Sequence, residues 1–300
     1  MRPGNALNPL VMLATGVHAQ PGVYAILLGS GVSTAAGIPT GWGVVKELVR
    51  RAAAAQDPDD LDAGPRAVET DESIELWWGQ HGDGGPLGYS NLLASLAPAP
   101  AARQALLAGF FEPTEDDADA GLKVPTPAHR AIAGLAKRGY VRVILTTNFD
   151  RLMERALEEA GVLPQVLSRP EAAGTITPLP HAGVTVVKLH GDYADLLMRN
   201  TVDELGEYPG EWNALLARIF DEYGLVISGW SAESDTALVA VMEKIASRRY
   251  PLYWVVWTPR SPGFVRNFVP RAACNSHVLV PGMAVATDPL AVTVPFNTDA

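Results

Sequence analysis

Apolar residues in this chain fall into short, nearly unbroken runs, and each run is followed by a stretch in which they recur every three or four positions. The runs are Tyr24 to Leu28, Val141 to Leu145, Val184 to Leu189, Leu225 to Ser228 and Leu252 to Trp257. A run without polar alternation predicts a strand buried on both faces. Strands alternating with helical patterns predict a parallel sheet covered by helices on each side. Helices are expected over about Trp42 to Ala55, over about Pro127 to Arg138, and directly after Asp150 with Arg151-Leu152-Met153-Glu154. Leu7, Leu10, Leu13 and Val17 sit at roughly helical spacing and predict an amphipathic first helix. The alternation breaks over about residues 56 to 125. There DPDDLDAGP is turn-rich, Glu72 to Trp78, Asn91 to Leu96 and Arg103 to Phe111 read as short helices, and EPTEDDADAG reads as a solvated acidic loop. The expected architecture is one α/β domain over residues 1–300 with a small helical insertion capping the C-terminal edge of the sheet.

Composition narrows what such a domain would bind. A hydrophobic fraction of 48% over 300 residues is enough for a substantial core. The formal net charge of −10 gives a field that repels phosphate polyanions, so direct nucleic-acid binding is not expected. Cys274 is the single cysteine, which excludes an internal disulfide and a four-cysteine zinc site and suggests a reducing compartment. The first residues hold only Arg2 as a charge and no apolar run long enough for a bilayer, so a cytoplasmic protein without a membrane anchor is expected.

The candidate chemistry lies where strands end. The first run opens into Gly29-Ser30-Gly31-Val32-Ser33-Thr34-Ala35-Ala36-Gly37-Ile38-Pro39, whose glycines let backbone approach a phosphate and whose N–H groups suit an anion; a tight connection would explain the same glycines. Thr34 stands where a dehydrogenase fingerprint needs its third glycine, and no Gly-Lys-Ser/Thr follows to make a P-loop. The second run ends in Thr146-Thr147-Asn148-Phe149-Asp150. Ligands of open parallel sheets sit beyond such strand ends, although Asp150 is equally suited to capping the next helix. The third run ends in His190-Gly191-Asp192, placing at a strand end the side chain best able to exchange protons near neutral pH. The other five histidines have no such setting and read as structural. The fourth run continues as Ser228-Gly229-Trp230-Ser231-Ala232-Glu233-Ser234-Asp235, where Asp235 reads as support for a helix start and the missing second glycine argues against a serine-hydrolase elbow.

These four strings, in this order over residues 24 to 235, resemble the sirtuin superfamily, and the second is most similar to sirtuin-like domains of bacterial anti-phage defence proteins. The resemblance implies a Rossmann-like parallel sheet that binds NAD+. It implies cofactor contacts from Gly29, Ser30, Gly31, Ser33, Thr34, Gly37, Ile38 and Pro39 in the glycine loop, and from Thr147, Asn148 and Asp150 in the second string. In the fourth string it implies contacts from Ser228, Gly229 and Ser231. Asn148 would position the nicotinamide ribose or a water, and His190 would be the general base. Deacylating sirtuins carry four zinc-binding cysteines and an aspartate-phenylalanine-arginine after the glycine loop; this chain has one cysteine and Thr40-Gly41-Trp42. The resemblance therefore implies an NAD+ glycohydrolase without zinc, the effector of an abortive-infection defence system, rather than a deacylase, an ADP-ribosyltransferase or a silent NAD-binding sensor. It further implies control by homo-oligomerisation, by a sensor domain or by a partner protein.

Overall fold

The computed structural model describes residues 8–56, 68–82, 84–85, 87–193, 208–232, 235–244, 249–255, 276–281 and 291–294. Within them lies a parallel sheet of eight strands in the order β3-β4-β2-β1-β5-β6-β7-β8. The strands are β1 (Tyr24–Leu28), β2 (Val141–Thr146), β3 (Gln165–Leu167), β4 (Thr185–Lys188), β5 (Gly224–Ser228), β6 (Leu252–Val255), β7 (Ser276–Pro281) and β8 (Ala291–Val294). β1 pairs with β2 on one side and with β5 on the other, so the direction in which the sheet grows reverses at β1. Such a reversal splays the following loops apart and leaves a crevice beyond the strand ends.

Alternate residues of the central strands feed two separate cores. Ala25, Leu27, Leu145, Val187 and Ile227 pack with Trp212, Leu216 and Leu238. Those three belong to helices α9 (Gly210–Glu222) and α10 (Thr236–Glu243). Ile26, Leu28, Ile144 and Val186 face the opposite way, onto Ala133 of α7 (Pro127–Lys137) and Met153 of α8 (Leu152–Glu159). Burial on both faces is why these strands are continuously apolar. α1 (Pro9–Ala19) buries Leu13 and Val17 against Tyr24 and Tyr253, while Leu10 is left exposed.

α2 (Gly41–Gln56) carries the insertion, whose helices are α3 (Asp71–His81), α4 (Tyr89–Leu96), α5 (Pro100–Phe111) and α6 (Glu115–Asp119). Val45, Leu48 and Val49 of α2 share a core with Ile74, Trp78, Leu92, Leu93 and Leu107. α3 begins at Asp71, one residue before the expected Glu72, because Thr70 and Ser73 form a reciprocal capping box; α5 begins three residues early on Pro100, whose ring suits a first helical position. The acidic segment is a short helix rather than a loop. Thr114 caps it by exchanging bonds with Asp117, and Asp117 pairs with Lys123 Nζ at 2.8 Å.

Three strands escape a pattern search. β3 has only three residues at the sheet edge with Val166 exposed, while β7 and β8 are short segments beyond the last recognised run. The turn-rich stretch at 57–65, the end of the fifth run at 256–257, and Cys274 lie outside the described residues. No helix among the described residues is long and apolar enough to cross a membrane.

Candidate active site

The four strand-end strings converge on one cavity of about 610 Å³ beyond the C-terminal ends of β1, β2, β4 and β5. That size lies in the range of small-molecule sites. The glycine loop folds as two 3-10 turns, Ser30–Val32 and Thr34–Ala36. Gly29, Gly31, Val32, Ser33, Ala36 and Gly37 all donate their N–H groups to backbone carbonyls of the protein. The glycines therefore serve first to bring two loops together. A Cβ on Gly29 would lie 2.5 Å from Gly229 O and from Trp230 Cα, and one on Gly229 would lie 2.6 Å from Val32 N. Gly229 also sits at φ +69°, a conformation glycine adopts without strain. Ser30, Gly31, Ile38 and Pro39 line the cavity, as do Gly229 and Ser231 from the loop after β5. Gly29, Ser33, Thr34, Gly37 and Ser228 stand behind that wall or beside it: Ser33 is fully buried, Thr34 bonds back to Gly31 O, Gly37 caps its turn at φ +76°, and Ser228 O holds Gly29 N–H.

Asn148 follows β2 and is buried on the cavity wall, next to Thr147. Its Nδ2 donates to Gly29 O at 3.2 Å and to Ser33 Oγ at 3.3 Å. A carbonyl only accepts, so the amide is held in one orientation, and Asn148 Oδ1 is left buried without a partner among the described residues. Ser33 passes the chain on by donating to Asp150 Oδ2 at 2.8 Å, while Asp150 Oδ1 accepts from Leu152 N–H at 3.0 Å. Asp150 is thus both the helix-start acceptor and the buttress of Asn148.

The loop bearing these residues is pinned from below by Lys188, the last residue of β4, which has no exposed surface. Its Nζ donates to Phe149 O, Asp150 O, Glu154 Oε1 and Asp192 Oδ2 at 2.6–3.2 Å. Asp192 also receives Arg151 Nε at 2.8 Å, which raises the guanidinium pKa further. Burial pushes the Glu154 carboxyl above the ordinary carboxylate range, even against the nearby Lys188 charge. A lysine inside the mainly apolar run VTVVKL was the one sequence signal for this anchor.

His190 lines the same cavity. Its Nε2 lies 2.9 Å from Asp235 Oδ2 and 3.2 Å from the Tyr208 hydroxyl, and Tyr208 donates to the same carboxylate at 3.3–3.4 Å. A carboxylate accepts only, so Nε2 carries the proton and Nδ1 the lone pair. No described residue hydrogen-bonds Nδ1. Asp235 caps α10 as the sequence indicated, through Oδ1 and Leu238 N–H at 3.1 Å, and reaches His190 with its other oxygen. Tyr208 gave no motif signal at all. The insertion closes the cavity with Tyr89 and Phe111, both of which pack on Phe149, whose ring in turn lies 6.2 Å from that of His190. Among the described residues, no group of three or more His, Cys, Asp or Glu could hold a metal.

Residues 142–272 match the family model of the SIR2-like domain. No curated protein matches the chain in sequence. Among solved structures, a Sir2 homologue in complex with NAD is similar at 16% identity, with 87% of this chain and 88% of that chain covered and a TM-score of 0.39. A structure described as the structural basis for the mechanism and regulation of Sir2 enzymes is similar at 14% identity over 95% of this chain and 91% of that one, with a TM-score of 0.40. One concerned with sirtuin substrate affinity matches at 14% identity over 97% and 93%, with a TM-score of 0.41.

Proposed function

We propose that this chain binds NAD+ as a substrate and hydrolyses its nicotinamide–ribose bond. The observation that carries the reading is that Asn148 and His190 line one cavity of about 610 Å³, the first with a buried acceptor and the second with a lone-pair nitrogen that no described residue hydrogen-bonds. Water attacks C1′ of the ribose as the C–N bond breaks, and that bond's electron pair neutralises the pyridinium, which leaves as nicotinamide. The transition state has oxocarbenium character, so the site needs to orient the ribose and to accept a proton. Asn148 Oδ1 accepts a hydrogen bond from a ribose hydroxyl or from the attacking water. His190 Nδ1 takes the proton that water loses and later releases it to solvent. The products are nicotinamide, ADP-ribose and one proton. Gly41 and Trp42, at the start of α2, line the cavity and bring the positive end of a 16-residue helix towards the pyrophosphate. Ser30, Gly31, Ile38, Pro39, Gly229 and Ser231 contact the dinucleotide directly, with Gly29, Ser33, Thr34, Gly37 and Ser228 shaping the loops that do so.

A single cysteine supports turnover without structural zinc. An unrestrained NAD+ hydrolase would empty its host's cofactor pool, which supports a role as the effector of an anti-phage system, held inactive until a partner, a sensor domain or self-assembly shifts it to the competent state. The deciding experiment incubates the purified chain with NAD+ over a range of protein concentrations and separates nicotinamide, ADP-ribose and cyclic ADP-ribose. Equal release of nicotinamide and ADP-ribose, undiminished by a chelator, is expected. Nicotinamide release that depends strictly on an acylated peptide would instead mean deacylation, and binding without release would mean a sensor.

A further inference from the structure

We infer that Asp235 is the positioning residue for His190, and that its two oxygens divide two tasks so that the cavity receives the imidazole's lone pair; this rests on the hydrolase reading above. Asp235 is 45 residues from His190 in sequence and comes to it only because β5 and β4 end at the same cavity. It is 5% exposed, His190 8% and Tyr208 3%, so the three polar groups satisfy one another out of water. The Oδ1 atom accepts Leu238 N–H, at the first turn of α10. Backbone N–H only donates, so this bond fixes which carboxylate oxygen faces the helix and which faces the ring. Oδ2 therefore receives His190 Nε2–H, and the Tyr208 hydroxyl donates to the same carboxylate. The Tyr208 ring lies beside that of His190, with centroids 6.4 Å apart and 27° between planes. The tautomer is set by Asp235, and Nδ1 is the basic nitrogen.

The division of tasks makes a sharp variant available. In Asp235→Asn, Leu238 N–H still demands an acceptor, so the amide oxygen takes the Oδ1 place and the NH₂ group faces His190. Two donors cannot meet. The imidazole proton then moves to Nδ1, and the cavity loses its base while the helix keeps a cap of equal quality. A fall in kcat of at least about 10²-fold with KM nearly unchanged is expected, since a positioned base of the wrong tautomer is worth roughly 10²–10⁴ in rate. Asp235→Ser keeps a cap yet does not reach the ring, and is expected to lose less activity than Asp235→Asn. Tyr208→Phe keeps the ring and the Nε2–H tautomer.

The readout that a mere helix cap would not move is the histidine tautomer itself, measured by carbon and nitrogen NMR of the full chain with labelled histidine and assigned with His190→Asn. The Nε2–H form in the wild type and the Nδ1–H form in Asp235→Asn are expected. The same tautomer in both proteins overturns the inference whatever the activities show. Should Asp235→Asn fail to fold, an Nδ1–H form in the wild type overturns it alone, and an Nε2–H form lost in Asp235→Ser sustains it. If the wild type forms no nicotinamide from NAD+ at any protein concentration, the hydrolase reading fails while the tautomer still decides the Asp235 assignment.

Discussion

Asn148 Nδ2 donates to Gly29 O at 3.2 Å across a separation of 119 residues, and this bond joins the end of β2 to the glycine loop. The same side chain leaves its Oδ1 buried and without a partner among the described residues, a state that ordinarily costs free energy unless a ligand completes it. On the hydrolase reading, stability and substrate contact draw on opposite ends of one amide.

Asn148→Ala is accordingly expected to do two separable things. It removes one of the two donors to Gly29 O, which keeps Val32 N–H, and the one donor to Ser33 Oγ, for a loss of about 1–3 kcal/mol over the two bonds. It also removes the acceptor, so NAD+ turnover falls below detection in a protein that remains folded. Urea denaturation checks the first effect and product chromatography the second. Activity near that of the wild type in the folded variant would remove Asn148 from the mechanism.

Lys188 is the side chain whose loss the fold should feel most. Its ammonium meets two backbone carbonyls and two carboxylates with no exposed surface, and truncation would strand Glu154 as a buried acid and leave Asp192 with Arg151 as its cation. Lys188→Met is expected to cost about 3–5 kcal/mol, the usual penalty for removing one partner of a buried ion pair. Adding Glu154→Gln should recover part of it by removing one uncompensated charge. A double-mutant cycle in urea that shows simple additivity would mean these groups do not act as one cluster.

The sheet was legible where strands are buried on both faces, because Tyr24–Leu28 presents side chains to a core in each direction and so reads as an unbroken apolar run. Edge strand β3 was not, since Val166 faces solvent and three residues carry no period. Asn148 and His190 were legible because a polar residue at the end of such a run has few structural reasons to be there. Lys188, Tyr208 and the second task of Asp235 were not, because each depends on which strands become neighbours. Tyr208 lies in no motif, and its meeting with His190 follows from tertiary packing alone. The glycine loop was legible in place and only half so in purpose, as the packing of Gly29 and Gly229 against each other's loops shows.

His129 supplies a pH prediction. It occupies the third position of α7, where its Nδ1 accepts from Thr126 N–H at 3.2 Å within a capping box. Burial holds its pKa below the ordinary 6.5, against the pull of Asp150. The unfolded chain therefore binds a proton near pH 6.5 that the folded chain refuses. Stability from this group is fully present above that pH and is lost as pH falls through the window down to the lowered value. His129→Gln retains the capping box without a titrating ring. Wild type and His129→Gln should have similar urea midpoints at about pH 7.5, and the variant should be the more stable at about pH 5.5, a range set by the ordinary histidine pKa. Parallel pH dependence in the two proteins would mean that His129 is not the group responsible.

Lys123 connects the insertion to the site. Its Nζ donates to Gly109 O at 3.0 Å and Glu112 O at 2.8 Å, at the C-terminal end of α5, and pairs with Asp117 of α6. Its own N–H donates to Ala36 O in the glycine loop at 2.7 Å, and its carbonyl accepts from Arg155 of α8. One residue thus holds the end of α5, and with it Phe111 on the cavity wall, against the loop expected to meet the dinucleotide. The lysine bond is also the chief reason the Asp117 carboxyl titrates at about 2. Lys123→Met keeps the length and the apolar stem but removes the charge that satisfies two last-turn carbonyls, where cations are favoured. The helix end is then free to shift Phe111 and Tyr89, whereas Asn148, His190 and Asp235 stay in place on the sheet. The expected result is a rise in KM for NAD+ of roughly tenfold, matching about 1.4 kcal/mol of lost closure, with a much smaller change in kcat. Steady-state kinetics on the purified variant checks this. A fall in kcat at constant KM would mean that the insertion acts on the chemical step, through Phe149 and its contact with the His190 ring, rather than on the shape of the cavity.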